Sequence, residues 1–259
     1  MLDTQIHPTA VIDPSAEIGA DAVIGAYAVI GPNVRIGAST TVGPHVYIVR
    51  DTTVGEGCTI HHGAALGGDP QDLKYAGERS QLIVGDRTVV REFVTLNRGT
   101  GAQGKTEIGS DCLIMAYAHV AHDSVLGNHV ILANAVNMGG HVEVGDHVIL
   151  GGMTAVHQFV KIGAHAFISG SSAVRKDVAP YVKAAGDPLK LFGLNSVGLQ
   201  RRGFPDETRL AIKRAYRLFF QSSLNISQAL EQARNELPDS PELRHFLAFI
   251  ESSDRGITI

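Results

Sequence analysis

An aliphatic side chain recurs at every sixth position of this chain, and few folds accommodate that period. The series runs Ile6, Ile12, Ile18, Ile24, Ile30, Ile36, Val42, Ile48, Val54, Ile60 and Leu66. It resumes at Val84, Val90 and Leu96, then runs from Ile108 through Ile114, Val120, Leu126, Leu132, Met138, Val144, Leu150, Val156, Ile162 and Ile168 to Val174. Helical periodicity is about 3.6 residues and strand periodicity about 2, so neither explains it. A short strand followed by a turn does, and stacked hexads are the signature of a parallel β-helix. The residue after the aliphatic is often glycine, as at Gly109, Gly127, Gly139, Gly145, Gly151 and Gly163. Four positions after it stands a small or β-branched residue, as at Cys112, Ala118, Ser124 and Val130. The aliphatic and the residue four later are expected to face inward, with Gly, Asn and Asp suiting the turns because they tolerate positive φ. Three strands close a triangular coil of roughly 18 residues, and coils stack about 4.8 Å apart, burying their aliphatics on one another.

Two segments break the series, one from Gly67 to Ile83 and one near Asn97 to Glu107, yet every aliphatic keeps a position divisible by six. Non-repeating loops leaving a solenoid are often functional. The repeat ends near Pro180, and composition changes at Gly186-Asp187-Pro188. The expected organisation is a solenoid over 1–187, with insertions near 67–83 and 97–107, and a helical unit over 188–259. Asp206 is expected to cap a helix reaching about Ser222, with Ile212, Ala215, Tyr216 and Phe219 on one side. A second helix is expected over Ser227 to Leu237. A third starts at Ser240-Pro241 and carries Leu243, Phe246, Leu247 and Ile250. Such a tail would cover one end of the solenoid, where a coil edge would otherwise lie unpaired.

The formal net charge of -4 gives no broad electrostatic reason to expect nucleic acid. Met1-Leu2-Asp3-Thr4 lacks the basic start and apolar core of a signal peptide, and no run approaches the roughly 18 apolar residues of a membrane span. The two cysteines, Cys58 and Cys112, each occupy a small inward slot, which points to buried thiols rather than a disulfide or zinc site. A cytoplasmic protein is expected.

Chemistry concentrates in the second half. His122 lies in Ala121-His122-Asp123; His141 follows 19 residues later, and His157 and Gln158 follow 16 and 17 residues after that. Near-coil spacing puts these groups at one corner on successive rungs, roughly 5 Å apart, which suits a sugar-sized ligand. A neutral imidazole can take a proton from a hydroxyl, its ordinary pKa of about 6.5 being close to working pH. Asp123 is placed to orient it. Three imidazoles also form a common catalytic zinc set, so a metal site stays open on this pattern. Any one of the 12 histidines is equally a solvated turn residue.

The hexads, Gln71-Asp72-Leu73-Lys74-Tyr75-Ala76-Gly77, Ala121-His122-Asp123, Gly152-Met153-Thr154-Ala155-Val156-His157-Gln158-Phe159 and Arg201-Arg202-Gly203-Phe204 together resemble the acyl-carrier-protein–UDP-N-acetylglucosamine O-acyltransferases of lipid A synthesis. The likeness runs through nearly the whole chain in order. It implies an all-β left-handed parallel β-helix followed by a small α-helical C-terminal domain, assembled as a homotrimer with active sites between subunits. It implies transfer of an (R)-3-hydroxyacyl group from acyl carrier protein to the 3-hydroxyl of UDP-N-acetylglucosamine, with no metal or diffusible cofactor. By motif, His122 is the general base, Asp123 its support and the Gly140 N–H an oxyanion donor. Asp72, Lys74, His141 and Gln158 hold the sugar, His119 and His157 line the cleft, and Asn195, Arg201 and Arg202 take the uridine diphosphate. Gly170 matches an acyl-length ruler, its missing side chain implying a longer chain.

Val197 departs from relatives that carry a nucleotide-contacting Glu there. Arg209, Lys213 and Arg217 form one helical stripe with Arg214 beside it, a surface suited to acidic acyl carrier protein and equally to plain solvation. The rival readings are the related N-acyltransferase, a metal-dependent hydratase of carbonic-anhydrase type, and a non-enzymatic solenoid scaffold. The first is disfavoured by the QDLKYAG insertion and by the start of the hexads at Ile6.

Overall fold

The computed structural model describes residues 4–259; Met1–Asp3, part of the stretch read above for a leader, lie outside them. Strands of mostly two residues run from Gln5–Ile6 to Ala173–Val174. Each pairs in parallel with the strand one coil on, as Gln5 with Val23, Val11 with Val29 and Glu17 with Arg35. Every third strand is therefore a neighbour, giving three sheets of 11, 9 and 8 strands. The faces are called first, second and third after the strands Gln5–Ile6, Val11–Ile12 and Glu17–Ile18.

Hexad aliphatics fill the interior. From Ile24 to Val174 they are buried, as are the residues four positions later, among them Ala28, Val34, Val46, Val130 and Val148. Cys58 and Cys112 are buried in these slots as free thiols, and burial raises both thiol pKa values. Ile6 remains 49% exposed because the first coil has no coil beneath it.

The turns correct the expectation placed on glycine. The left-handed residue lies three positions after the aliphatic, and there stand Asp21, Tyr27, Asn33, Ser39, His45, Phe93, Tyr117, Ala135, His147 and Phe159, all at positive φ. Left-handed geometry costs an L-residue roughly 1–2 kcal/mol. Inter-coil hydrogen bonds offset it: Ser39 donates to the Ala20 carbonyl and His45 to the Ala26 carbonyl. The glycine directly after the aliphatic serves close packing instead. A Cβ on Gly31 would lie 1.7 Å from the Val49 carbonyl oxygen of the next coil.

Register spacing explains why the breaks keep the numerical period. Thr59 pairs with Val89 and Thr95 with His119, spacings of 30 and 24 where regular coils show 18. Each insertion thus adds whole hexads. Both leave from the corner between the second and third faces, the first between Ala65–Gly68 and Gln81–Val84, the second between Thr95–Asn97 and Lys105–Ile108.

After the coils, Val182–Ala185 joins the first face and forms an antiparallel hairpin with Lys190–Leu194, with Gly186–Pro188 in its turn. Four helices follow: α1 (Ser196–Arg201), α2 (Asp206–Phe220), α3 (Ile226–Glu236) and α4 (Pro241–Glu251). Ile212, Tyr216 and Phe246 join the buried cluster of the last coil, and the Tyr181 hydroxyl donates to the Glu242 carbonyl at 3.4 Å. Ser240 caps α4 with Pro241 in its first turn, as expected. Asp206 is not a cap. Pro205 holds that position, and Asp206 lies in the first turn beside Arg209. Asn225 and Gln228 form a capping box at α3, and α1 was not foreseen. Among the described residues no helix is long and apolar enough to cross a membrane.

Candidate functional site

Both insertions fold over the corner that carries His122, His141 and Gln158 in successive coils. The resulting cleft, about 820 Å³, is lined by Gln71, Asp72, Lys74, Tyr75, Glu78, Thr100, His122, His141, Gln158 and Phe159 among others. That volume is within the usual range for small-molecule sites.

Asp123 anchors the polar groups of this corner. It occupies a left-handed turn position, with φ of 58°, and is fully buried. Its Oδ2 receives His122 Nδ1 at 2.8 Å and the Thr100 hydroxyl at 2.7 Å, and its Oδ1 accepts the Thr100 N–H at 2.9 Å. Burial by itself would raise the Asp123 pKa. The hydrogen bonds from Thr100 and His122, with His141 nearby, more than offset it and hold the carboxyl below its ordinary range. An ionised carboxylate only accepts, so His122 carries its hydrogen on Nδ1 and leaves Nε2 bare to take a proton.

Gly140 is required for that geometry. A Cβ there would stand 2.6 Å from His122 Cε1 and 2.8 Å from Nε2, so the imidazole lies directly against the Gly140 backbone. Gly139 and His141 donate their N–H groups to carbonyls of neighbouring coils, whereas the Gly140 N–H makes no such bond among the described residues. A free donor beside a proton acceptor is what a tetrahedral oxyanion needs. His141 meets His122 edge to face at 5.2 Å and is stacked on Phe159 at 4.4 Å.

Ligand-capable atoms of His122, Asp123 and His141 lie within 4.8 Å of one another, close enough for a cation. The Asp123 oxygens already accept three protein donors, two from Thr100 and one from His122.

The other expected residues divide. Asp72 and Lys74 line the cleft, with Asp72 Oδ1 accepting the Lys74 N–H at 3.0 Å. His119 and His157 stand beside the cleft and are not part of its lining. His119 meets the Thr95 hydroxyl at 2.7 Å, and burial, then His122, lowers its pKa; exposed His157 meets the Gln158 carbonyl at 3.0 Å. Asn195, Arg201 and Arg202 line a second depression on the first face with Ile149, Phe167 and Val197. Asn195 is committed to structure there: its side chain accepts the Gly198 N–H as the α1 cap and donates to the His165 carbonyl. Arg202 donates to the His147 carbonyl, while exposed Arg201 makes no ion pair among the described residues. Gly170 lies at the corner between the first and second faces, where a Cβ would come within 2.9 Å of the Gly152 carbonyl oxygen.

Thr100, Glu78 and Phe159 were missed as site residues. Only their membership of an insertion, or of the His-Gln-Phe motif, could have flagged them.

Family models match residues 177–258 as UDP N-acetylglucosamine O-acyltransferase domain 2, and 3–38, 33–68 and 105–140 as bacterial transferase hexapeptide repeats. An acyl-[acyl-carrier-protein]–UDP-N-acetylglucosamine O-acyltransferase of Chlorobaculum parvum is 53% identical over 98% of this chain and 96% of its own. One of Alkalilimnicola ehrlichii is 49% identical over 98% of this chain and 99% of its own. The solved UDP-N-acetylglucosamine acyltransferase of Bacteroides fragilis superimposes with a TM-score of 0.97 at 40% identity, covering 98% of this chain and 100% of that one. The repeat, the tail and full-length likeness agree, and the chain belongs to the family of acyl-[acyl-carrier-protein]–UDP-N-acetylglucosamine O-acyltransferases.

Proposed function

We propose that this protein transfers an (R)-3-hydroxyacyl group from acyl carrier protein to the 3-hydroxyl of UDP-N-acetylglucosamine, opening lipid A synthesis in the cytoplasm. The observation that carries this reading is the His122 imidazole, tied through Nδ1 to a buried carboxylate, in a cleft built from both insertions. Nε2 of His122 removes the 3-hydroxyl proton as the sugar oxygen attacks the thioester carbonyl carbon. The Gly140 N–H stabilises the oxyanion. Collapse breaks the carbon–sulfur bond, and the departing thiolate takes the proton back from His122. A thiolate leaves readily, so the chemistry asks for no metal or diffusible cofactor. Asp72, Lys74, His141 and Gln158 hold the sugar; His119 and His157 flank it; Arg201 and Arg202 take the diphosphate, with Asn195 fixing their helix.

The Asp72–His122 cleft, the Arg201–Arg202 depression and Gly170 lie on different sides of one coil stack. A homotrimer of left-handed β-helices (1–187), each followed by its helical unit (188–259), would bring one chain's first face to the next chain's cleft. Exposed Lys213, Arg214 and Arg217 on α2 would then receive acidic acyl carrier protein. With glycine at 170, a long acyl chain is expected.

An acyl-transfer assay tests this with 3-hydroxyacyl carrier proteins of graded length, offered UDP-N-acetylglucosamine or its 3-amino analogue. The expected product is a 3-O-ester, fastest with a longer chain. Amide as the sole product, or activity lost to chelator and restored by zinc, would overturn it.

A further inference from the structure

We propose that Thr100, on the second insertion, is a positioning residue of the His122–Asp123 pair, an inference that rests on the base assignment above. Thr100 is buried and gives Asp123 two donors, its backbone N–H at 2.9 Å on Oδ1 and its hydroxyl at 2.7 Å on Oδ2. The hydroxyl shares Oδ2 with His122 Nδ1. Two fixed donors leave the carboxylate one orientation, and that orientation aims the imidazole at the cleft.

The insertion is built to hold Thr100 there. Gly104 donates back to the Thr100 carbonyl at 2.7 Å, closing a tight loop, and the Thr100 hydroxyl also accepts the Ala102 N–H at 3.2 Å. The neighbouring Gly101 N–H donates to Glu78 of the first insertion at 3.1 Å. Arg98, 1% exposed, binds the Gly67 carbonyl, Asp69 and the Tyr75 hydroxyl. The first insertion thus bonds the second at Arg98 and Gly101, on either side of Thr100, which in turn bonds Asp123. Thr100 does not act on the reacting atoms; it fixes the group that fixes the base.

The test compares Thr100→Val, Thr100→Ser, Asp123→Asn and the Thr100→Val/Asp123→Asn double variant by steady-state kinetics across pH. Thr100→Val is expected to lower kcat at least about 10-fold, with little change in the KM for UDP-N-acetylglucosamine. Losing the hydroxyl leaves more negative charge on Oδ2 for an imidazolium, so the acid limb of kcat/KM should move to higher pH. Thr100→Ser should restore both. The double variant should be no slower than Asp123→Asn, because Thr100 acts only through that carboxylate. Thr100→Ala, which keeps the amide donor, should repeat the pattern if valine disturbs packing. Normal kcat and an unmoved acid limb in both Val and Ala variants, with His122→Ala inactive, overturn the Thr100 role alone. An active His122→Ala overturns the base assignment beneath it.

Discussion

Two columns of histidine climb this solenoid, and they behave oppositely. At the corner between the third and first faces, His129, His147 and His165 are stacked nearly parallel, with ring centroids 4.6 and 4.7 Å apart. No carboxylate hydrogen-bonds these rings among the described residues. Burial, then His147 and Arg202, push His165 down to about 4, and burial, then Arg202 and His129, lower His147. At the other corner His122 and His141 meet edge to face, and a buried carboxylate holds His122 by one nitrogen. Regular coil spacing makes a packed column of imidazoles stacked on one another. Two insertions folded over the other corner, with Thr100 bonded to Asp123, single out one imidazole there. The proposed chemistry sits where the repeat is broken.

Removing the proposed base should separate the two columns most. His122→Ala should cut kcat by about 10³, the usual worth of a positioned general base, with the circular dichroism spectrum unchanged. Turnover within a few-fold of normal would put the two columns on equal terms. Gly140→Ala comes next, at about 10² in kcat, the usual cost of displacing a catalytic group by about 1 Å. The added methyl meets the imidazole and not backbone, so the ring is expected to rotate off Asp123 while the melting temperature stays nearly constant. Because alanine keeps its N–H, that loss reports His122 placement, not oxyanion binding. A large fall in melting temperature would instead make Gly140 a packing residue like Gly31.

The coil stack was legible because period six has one ready structural solution, and the buried rows from Ile24 to Val174 follow it. Turn chemistry was less legible. Tyr27, Phe93 and Phe159 adopt left-handed φ through bonds to the neighbouring coil, a tertiary demand that overrides residue preference. Helix α1 is six residues long, too short to display a period, so Asn195 was read from the family motif alone and its capping role was not visible. His122, His141 and Gln158 were placed at one corner by spacing. Thr100 carries no spacing signal, because insertion folding brings it to Asp123 from 23 positions away.

The smallest expected effect on activity tests the other column. His165 stacks on His147, meets Phe204 edge to face, and buries an Nδ1 that has no hydrogen-bond partner among the described residues. Burial, then His147, Arg202 and His245, oppose its protonation, and Asp146 only partly favours it. Its folded-state pKa is therefore depressed, from an ordinary 6.5 to about 4. The unfolded chain takes up the proton first. Its stabilising contribution is thus complete above about pH 6.5, declines as pH falls toward 4, and is lost below that. His165→Phe retains the stacking shape and removes the titration. Its kcat should stay within about 2-fold of the parent at saturating sugar nucleotide, since the ring lies away from His122; through neighbouring Arg202 only the KM for the sugar nucleotide is free to move. Thermal melts between pH 7 and 4 should show the parent losing more stability on acidification than the variant. If the two melting curves fall in parallel, His165 is not the group that acidification loads. If kcat falls with the substitution, the packed column takes part in the reaction and the contrast between the two corners fails.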